Sequence, residues 1–254
     1  MSLEVHVLAS GSDGNCTVIR SEDRAVMVDA GLSCKRIQSL MDLNGIDPKE
    51  IEGLLVTHEH SDHISGAGAV SRKLGIPVYC NTRTLNAYPA IGRVDHRPVT
   101  MMNTFSVAGI DVLALPTSHD AVEPCAYFFD AAGTKVLIAT DTGRITYPIE
   151  HALEEADIAI VESNYDKRML DIGPYPPSLK KLIDSEVGHM SNLACAQAVK
   201  RTMGERNRKI FLGHLSRHNN TPDIARDTIS AITGVRRYHF DCLEFQGDTR
   251  VIRP

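Results

Sequence analysis

Short apolar runs rich in Val and Ile alternate along the chain with stretches of helical period, the pattern of a layered α/β fold. Val5 to Ala9, Thr17 to Arg20 and Ala25 to Asp29 are predicted strands. The turn-rich segments Ser10-Gly11-Ser12-Asp13-Gly14-Asn15 and Ser21-Glu22-Asp23-Arg24 separate them, so a β-meander opens the chain. Ser33 is placed to cap a helix running to Asn44-Gly45, with Ile37, Leu40, Met41 and Asn44 at helical spacing. Gly53 to Val56 reads as a buried strand. After it come a helix near Ser65 to Leu74, a strand at Pro77 to Cys80 and a helix starting near Thr82.

The second half repeats the alternation. Phe105 to Val107, Ile110 to Leu115, Cys125 to Phe129 and Lys135 to Ala139 are strand-like, and Asp130-Ala131-Ala132-Gly133-Thr134 joins the last two as a hairpin. A helix around Tyr147 to Glu155 leads to the strand Ile158 to Val161. Helices near Ser178 to Glu186 and Ser191 to Met203, a strand at Lys209 to Leu212, a helix opening at Thr221-Pro222-Asp223 and a final strand near Tyr238 to Phe245 complete the pattern. Sheets followed by helices in both halves predict a four-layer αββα sandwich. With 254 residues and no linker or low-complexity stretch, residues 1–254 are expected to form one domain.

Composition narrows the function. The chain has no apolar run of eighteen residues, and its start lacks a charged segment followed by an apolar one, so neither a membrane span nor secretion is expected. Six cysteines lie far apart without a C-x-x-C pair, which predicts reduced thiols in the cytoplasm. A formal charge of -5 argues against a basic coat that holds nucleic acid nonspecifically. It leaves a polyanionic substrate open, because bound divalent cations would nearly cancel that charge at a site. The basic segments Lys200-Arg201, Arg206-Asn207-Arg208-Lys209 and Arg236-Arg237 read as solvated helix ends before phosphate grips.

The densest chemistry lies in Thr57-His58-Glu59-His60-Ser61-Asp62-His63, directly after the apolar Gly53 to Val56 run. Imidazole and carboxylate are ligands for divalent metal. A tight turn leaving a buried strand can aim His58 and His60 at one ion and Asp62 and His63 at another, and two adjacent metals make a hydrolytic centre. Further ligands should then stand where later strands run out into loops. His119 lies just beyond Val112 to Leu115, Asp141 follows Val136 to Ala139, and His214 follows Ile210-Phe211-Leu212-Gly213. Together these residues make five histidines and two carboxylates, enough for two ions with coordination left for water.

In these residues the chain resembles the metallo-β-lactamase-fold hydrolases, whose H-x-H-x-D-H motif matches His58, His60, Asp62 and His63 and whose remaining ligands match His119, Asp141 and His214. The resemblance implies that His58, His60 and His119 hold one metal, that Asp62, His63 and His214 hold the other, and that Asp141 bridges them. It covers essentially the whole chain. Four stretches look more specifically like the YycJ/WalJ group: Ala9 to Cys16, Glu162-Ser163-Asn164-Tyr165-Asp166, Gly188-His189-Met190-Ser191-Asn192 and Gly213-His214-Leu215-Ser216. That group is associated with exonuclease action on DNA and is related to RNase Z and RNase J. One departure is His218, where an acidic or other polar residue is expected in relatives.

The expected chemistry is two-metal phosphodiester hydrolysis by a metal-bridging hydroxide, with a nucleic acid, DNA before RNA, as substrate. Zinc suits the imidazoles, while the carboxylates also admit manganese or iron. The expected catalytic residues are Asp62, Glu162 and His189. By likeness to a G-H-S-T stretch of RNase Z relatives, Glu162 would orient and charge His189, which would protonate the departing sugar oxygen. Ser10, Asn15, Asn164, Ser191, Ser216 and Asn219 are candidate substrate contacts. The competing reading is a small-molecule hydrolase of the same fold acting on a cyclic phosphodiester, lactone or thioester. The interval between Asp141 and His214 is too short for the inserted domain of RNase J-type enzymes, and no protruding arm of the RNase Z type is visible, which disfavours tRNA maturation.

Overall fold

The computed structural model describes residues 3–204, 208–243 and 249–254. In chain order the strands are β1 (Leu3–Ala9), β2 (Cys16–Ser21), β3 (Arg24–Val28), β4 (Ile51–Leu55), β5 (Val78–Cys80), β6 (His96–Pro98), β7 (Thr104–Val107), β8 (Ile110–Pro116), β9 (Cys125–Ala131), β10 (Thr134–Ala139), β11 (Ile158–Glu162), β12 (Lys209–Gly213), β13 (Phe240–Cys242) and β14 (Arg250–Ile252). The helices are α1 (Cys34–Leu43), α2 (Ser61–Ile64), α3 (Ala67–Leu74), α4 (Thr82–Ala87), α5 (Tyr147–Glu155), α6 (Lys167–Ile172), α7 (Pro177–Ile183), α8 (Asn192–Thr202) and α9 (Pro222–Thr233).

Among the described residues, two seven-stranded sheets result, ordered β14-β1-β2-β3-β4-β5-β6 and β13-β12-β11-β10-β9-β8-β7. Both follow one plan. The first runs antiparallel through β1, β2 and β3 and turns parallel at β3/β4. The second runs antiparallel from β7 to β10 and turns parallel at β10/β11. Side chains alternate across each strand. Val136 and Ile138 of β10, and Ile158 and Ile160 of β11, therefore enter the core between the sheets, while Leu137, Ala139, Ala159 and Val161 face the opposite way. Those outward residues pack with Ile149 and Leu153 of α5, Cys195 and Val199 of α8 and Ile229 of α9. On the first sheet, Val18, Met27 and Leu54 meet Ile37, Leu40 and Met41 of α1 and Val70 of α3. Three apolar layers between four layers of structure make the αββα sandwich expected from the pattern.

The local signals act as their chemistry demands. Ser33 Oγ accepts from Arg36 N at the start of α1, and Thr221 caps α9. The β9/β10 hairpin turns on Ala132 and Gly133, both at positive φ (53° and 88°), the geometry of a two-residue hairpin loop.

Six elements differ from expectation. Edge strands β6 and β14 are three residues each, too short for alternation to register. Helix α6 buries only Leu170 and so carries no apolar period, although Asp166 caps it through Met169 N at 2.9 Å. The histidine segment closes as the one-turn helix α2 where a plain turn was expected. The helix expected over Ser178 to Glu186 ends at Ile183. The last strand is confined to Phe240–Cys242 after a 3-10 turn at Arg237–His239. Residues 244 and 245 of its expected span, and Arg206 and Asn207 of the basic segment, lie outside the described residues. Among the described residues, no helix is long and apolar enough to cross a membrane.

Candidate metal centre

The site lies at the carboxyl ends of the parallel strands in both sheets, where side chains can converge without interrupting a ladder. After β4, the segment from His58 through α2 delivers His58, His60, Asp62 and His63. His119 follows β8, Asp141 follows β10, Glu162 ends β11 and His214 follows β12. Asp141 and His214 have left-handed backbones, with φ of 56° and 55°. Asp and His tolerate that region better than most residues, so each strand end can reverse sharply at its ligand-type side chain.

Among the described residues, four groups of side chains present ligand atoms within 4.8 Å of one another: His58, His60 and His119; Asp62, His63 and His214; His58, His63 and Asp141; and Asp141, Glu162, His189 and His214. Asp141 belongs to two of them. Its Oδ2 is 3.1 Å from His63 Nε2, and its Oδ1 is 3.6 Å from His214 Nε2 and 3.8 Å from His119 Nε2. Asp62 Oδ2 lies 3.5 Å from both His63 Nε2 and His214 Nε2.

Acceptors behind the rings set the histidine tautomers. His63 Nδ1 donates to Asp29 Oδ2 at 2.7 Å, and His119 Nδ1 donates to the Gly188 carbonyl at 2.9 Å. His58 Nδ1 is 2.9 Å from Thr57 Oγ1, whose hydroxyl donates to Asp29. The Nε2 lone pairs of His58, His63 and His119 therefore face inward, the arrangement in which an outer acceptor orients a metal-binding imidazole. His58 Nε2, His214 Nε2 and Asp141 Oδ2 are buried and make no hydrogen bond among the described residues, although His63 Nε2 lies near the last of them. Leaving such atoms unsatisfied costs about 1–3 kcal/mol each. His60 Nδ1 also faces the acceptor lone pair of His119 Nε2 at 3.2 Å. A shared cation resolves these contacts, so the donor set fits divalent metal.

Electrostatics agree. Burial alone pushes the Asp141 carboxyl up, but His214 and His63 outweigh it and hold it well below the ordinary range. Burial, reinforced by positive charge at His63, keeps His58 well below its ordinary value and thus neutral, as ligation requires. Burial opposes charge on His214 too, yet the charge of Asp141 and the nearby carboxylates of Asp62 and Glu162 raise it to about 10. A bound cation would displace such protons.

Glu162 and His189 meet directly. Glu162 is 0% exposed, its Oε1 is 2.7 Å from His189 Nδ1, and its Oε2 accepts from Thr142 N at 2.9 Å and Met190 N at 3.2 Å. The His189 ring lies 5.4 Å from that of His214, stacked, and 5.2 Å from that of His119. Ser191, not His189, caps α8, its Oγ accepting from Ala194 N.

The profile of the metallo-β-lactamase superfamily matches residues 9–214. The chain belongs to this superfamily. It is 37% identical over 238 residues to exodeoxyribonuclease YycJ of Bacillus anthracis, covering 91% of this chain and 89% of the relative. Identity to exodeoxyribonuclease WalJ of Streptococcus pneumoniae is 39% over 229 residues, covering 88% and 85%. Among solved structures, the metallo-β-lactamase fold protein YhfI from Bacillus subtilis superposes with a TM-score of 0.75 at 17% identity, over 99% of this chain and 100% of that one.

The six candidate substrate contacts hydrogen-bond to the protein itself. Ser10 Oγ accepts from His214 N at 3.0 Å, and Asn15 N donates to the Asp62 carbonyl at 2.8 Å, tying the opening loop to both ligand segments. Asn164 Nδ2 donates to the His214 carbonyl, and Ser216 Oγ accepts from the backbone and side chain of Asn219. With Ser191 at its cap, these residues shape the loops around the centre. Sequence reasoning missed Asp29, the carboxylate behind His58 and His63. It stands at φ 59° directly after β3, and an acidic residue at the end of an apolar strand parallel to the motif strand was its available signal. Gly31 was also missed. A Cβ there would lie 1.7 Å from the Asp62 carbonyl oxygen, so only glycine admits this approach to the motif turn.

Proposed function

We propose that this protein is a DNA exonuclease that hydrolyses phosphodiesters at a two-metal centre. The buried Glu162–His189 pair, set between the Asp141 and His214 side of the site and the His119 ring, carries the reading, because phosphodiester cleavage needs a proton at the departing sugar oxygen. Similarity to YycJ and WalJ exodeoxyribonucleases supports DNA as the substrate. His58, His60 and His119 would hold one ion, Asp62, His63 and His214 the other, with Asp141 shared. Zinc or manganese suits this mixture of imidazole and carboxylate, and iron is also compatible. When bound, such ions lower the pKa of coordinated water and offset charge on the phosphoryl oxygens.

The chain's own groups do the rest. Burial disfavours the imidazolium of His189, but the charge and hydrogen bond of Glu162 outweigh it, so His189 titrates above its ordinary range. With Nδ1–H held by Glu162, the proton available for the leaving oxygen sits on Nε2. Asp29, through Thr57, and the Gly188 carbonyl keep the other imidazoles in register. The core between the sheets draws on residues from Leu3 to Ile252, in keeping with residues 1–254 acting as one catalytic unit. The six cysteines, five of them buried, form no disulfide among the described residues, which fits a reducing cytoplasm.

The test incubates metal-reconstituted protein with end-labelled single- and double-stranded DNA and RNA. Progressive shortening of DNA supports the reading, whereas hydrolysis of a small ester with no nucleic acid cleaved would overturn it. His189→Ala should keep its metal and lose about 10²–10⁴-fold in turnover, part of which returns with a leaving group that needs no proton.

A further inference from the structure

Beside the metal centre, the loops after β1 and β12 and the α6–α7 connection enclose a second pocket of about 130 Å³, bordered by Ser12, Asp13, Tyr175, Ser216, Arg217 and His218. Its walls continue from the ligand loops. Ser216 is two residues beyond His214, and the Ser12–Asp13 turn lies between Ser10, which accepts from His214 N, and Asn15, which donates to the Asp62 carbonyl. An ion pair from Arg217 to Asp13, 2.5 Å, clamps the two loops together at the rim. Tyr175 packs against the small apolar cluster of Tyr165, Leu170 and Ile183 and meets the exposed His218 ring at 5.7 Å and 69°. The rings thus border a cavity whose other walls are polar.

We propose that this pocket receives a nucleobase of the DNA strand engaged at the metal centre, with Tyr175 and His218 as its stacking surface. The inference rests on the nuclease reading above. A strand whose scissile phosphate lies at the metals must run out over the bordering loops. Aromatic faces there hold any base, since every base has a π-face, and a ring already anchored in an apolar cluster loses little freedom on binding. Such a surface grips the strand without reading its sequence, as end-trimming of arbitrary DNA requires.

Steady-state kinetics of the metal-loaded enzyme on single-stranded DNA, and on strands carrying one abasic nucleotide at each position near the cleaved end in turn, test the proposal. Tyr175→Ala should raise KM by about 5- to 150-fold, the usual worth of one stacked base, while Tyr175→Phe stays near wild type. His218→Ala, an exposed position, should raise KM in the same direction without disturbing the fold. For the wild type, an abasic nucleotide at one position should raise KM comparably, and combining it with Tyr175→Ala should add nothing. Wild-type cleavage that ignores abasic nucleotides at every position overturns the inference alone. So does a Tyr175→Ala penalty that is equal on ordinary and abasic strands. If the wild type shortens no DNA, the nuclease reading falls and takes the inference with it.

Discussion

The two sheets trace the same path, yet they furnish the site differently. In the first, one continuous segment after β4 supplies four ligand-type residues within six positions, and the acidic residue at the switch from antiparallel to parallel pairing, Asp29, stands behind them as a support. In the second, His119, Asp141 and His214 come from three separate strand ends, and the acidic residue at the corresponding switch, Asp141, faces inward between the metal-binding groups. Both carboxylates use the same left-handed backbone, φ 59° and 56°. Equivalent positions in a repeated topology are thus placed for complementary tasks, one behind the ligand-type rings and the other between them.

Asp141→Asn tests this contrast most severely. Removing the carboxylate shared between groups should lower metal content at both positions and cut turnover by more than about 100-fold, whereas His60→Ala should release chiefly the ion held with His58 and His119. Elemental analysis alongside turnover reads both. Two full equivalents of metal in Asp141→Asn would mean that the carboxylate joins nothing.

On the opposite side, Asp29→Ala should weaken metal affinity by about 10- to 100-fold, the range for losing a partner that orients a ligand, with turnover recovered at high metal. Gly31→Ala sharpens the distinction. It leaves every ligand and acceptor in place but drives a methyl into the Asp62 carbonyl, so the motif turn must shift. We expect weaker metal binding that extra metal restores only in part, measured by titration with a competing chelator. Wild-type affinity in Gly31→Ala would show that the turn tolerates displacement.

The same contrast explains what was legible in the sequence. The contiguous ligands announce themselves by spacing, and the dispersed ones by position after apolar strands, so all seven expected ligand positions fall together in the structure. Asp29 and Gly31 stayed hidden because their roles are contacts across about 30 residues, with His63, Thr57 and Asp62, and no local pattern encodes such a contact. The polar candidates show a related limit of local pattern. Ser10 and Asn15 carry acceptors that fix loops beside the ligand-type residues, a task that only burial and partners reveal. Strands β6 and β14 escaped because an edge strand of three residues buries too little for an alternating pattern.

The smallest expected effect concerns how the halves are joined. Tyr127, fully buried in β9 of the second sheet, donates its hydroxyl to the Val56 carbonyl of the first at 3.0 Å, one residue before Thr57. Nearby, Cys125 N donates to the Thr57 carbonyl at 3.1 Å. Tyr127→Phe keeps the ring and deletes one neutral hydrogen bond, leaving a buried carbonyl short of a donor. That costs about 1 kcal/mol, or about 2–4 °C in Tm for a domain of this size class. Because the backbone bond from Cys125 remains, metal content and turnover should not change. A drop in metal affinity would show that His58 depends on this inter-sheet tie, and that the contiguous segment is positioned by the second half of the molecule as much as by Asp29 beneath it.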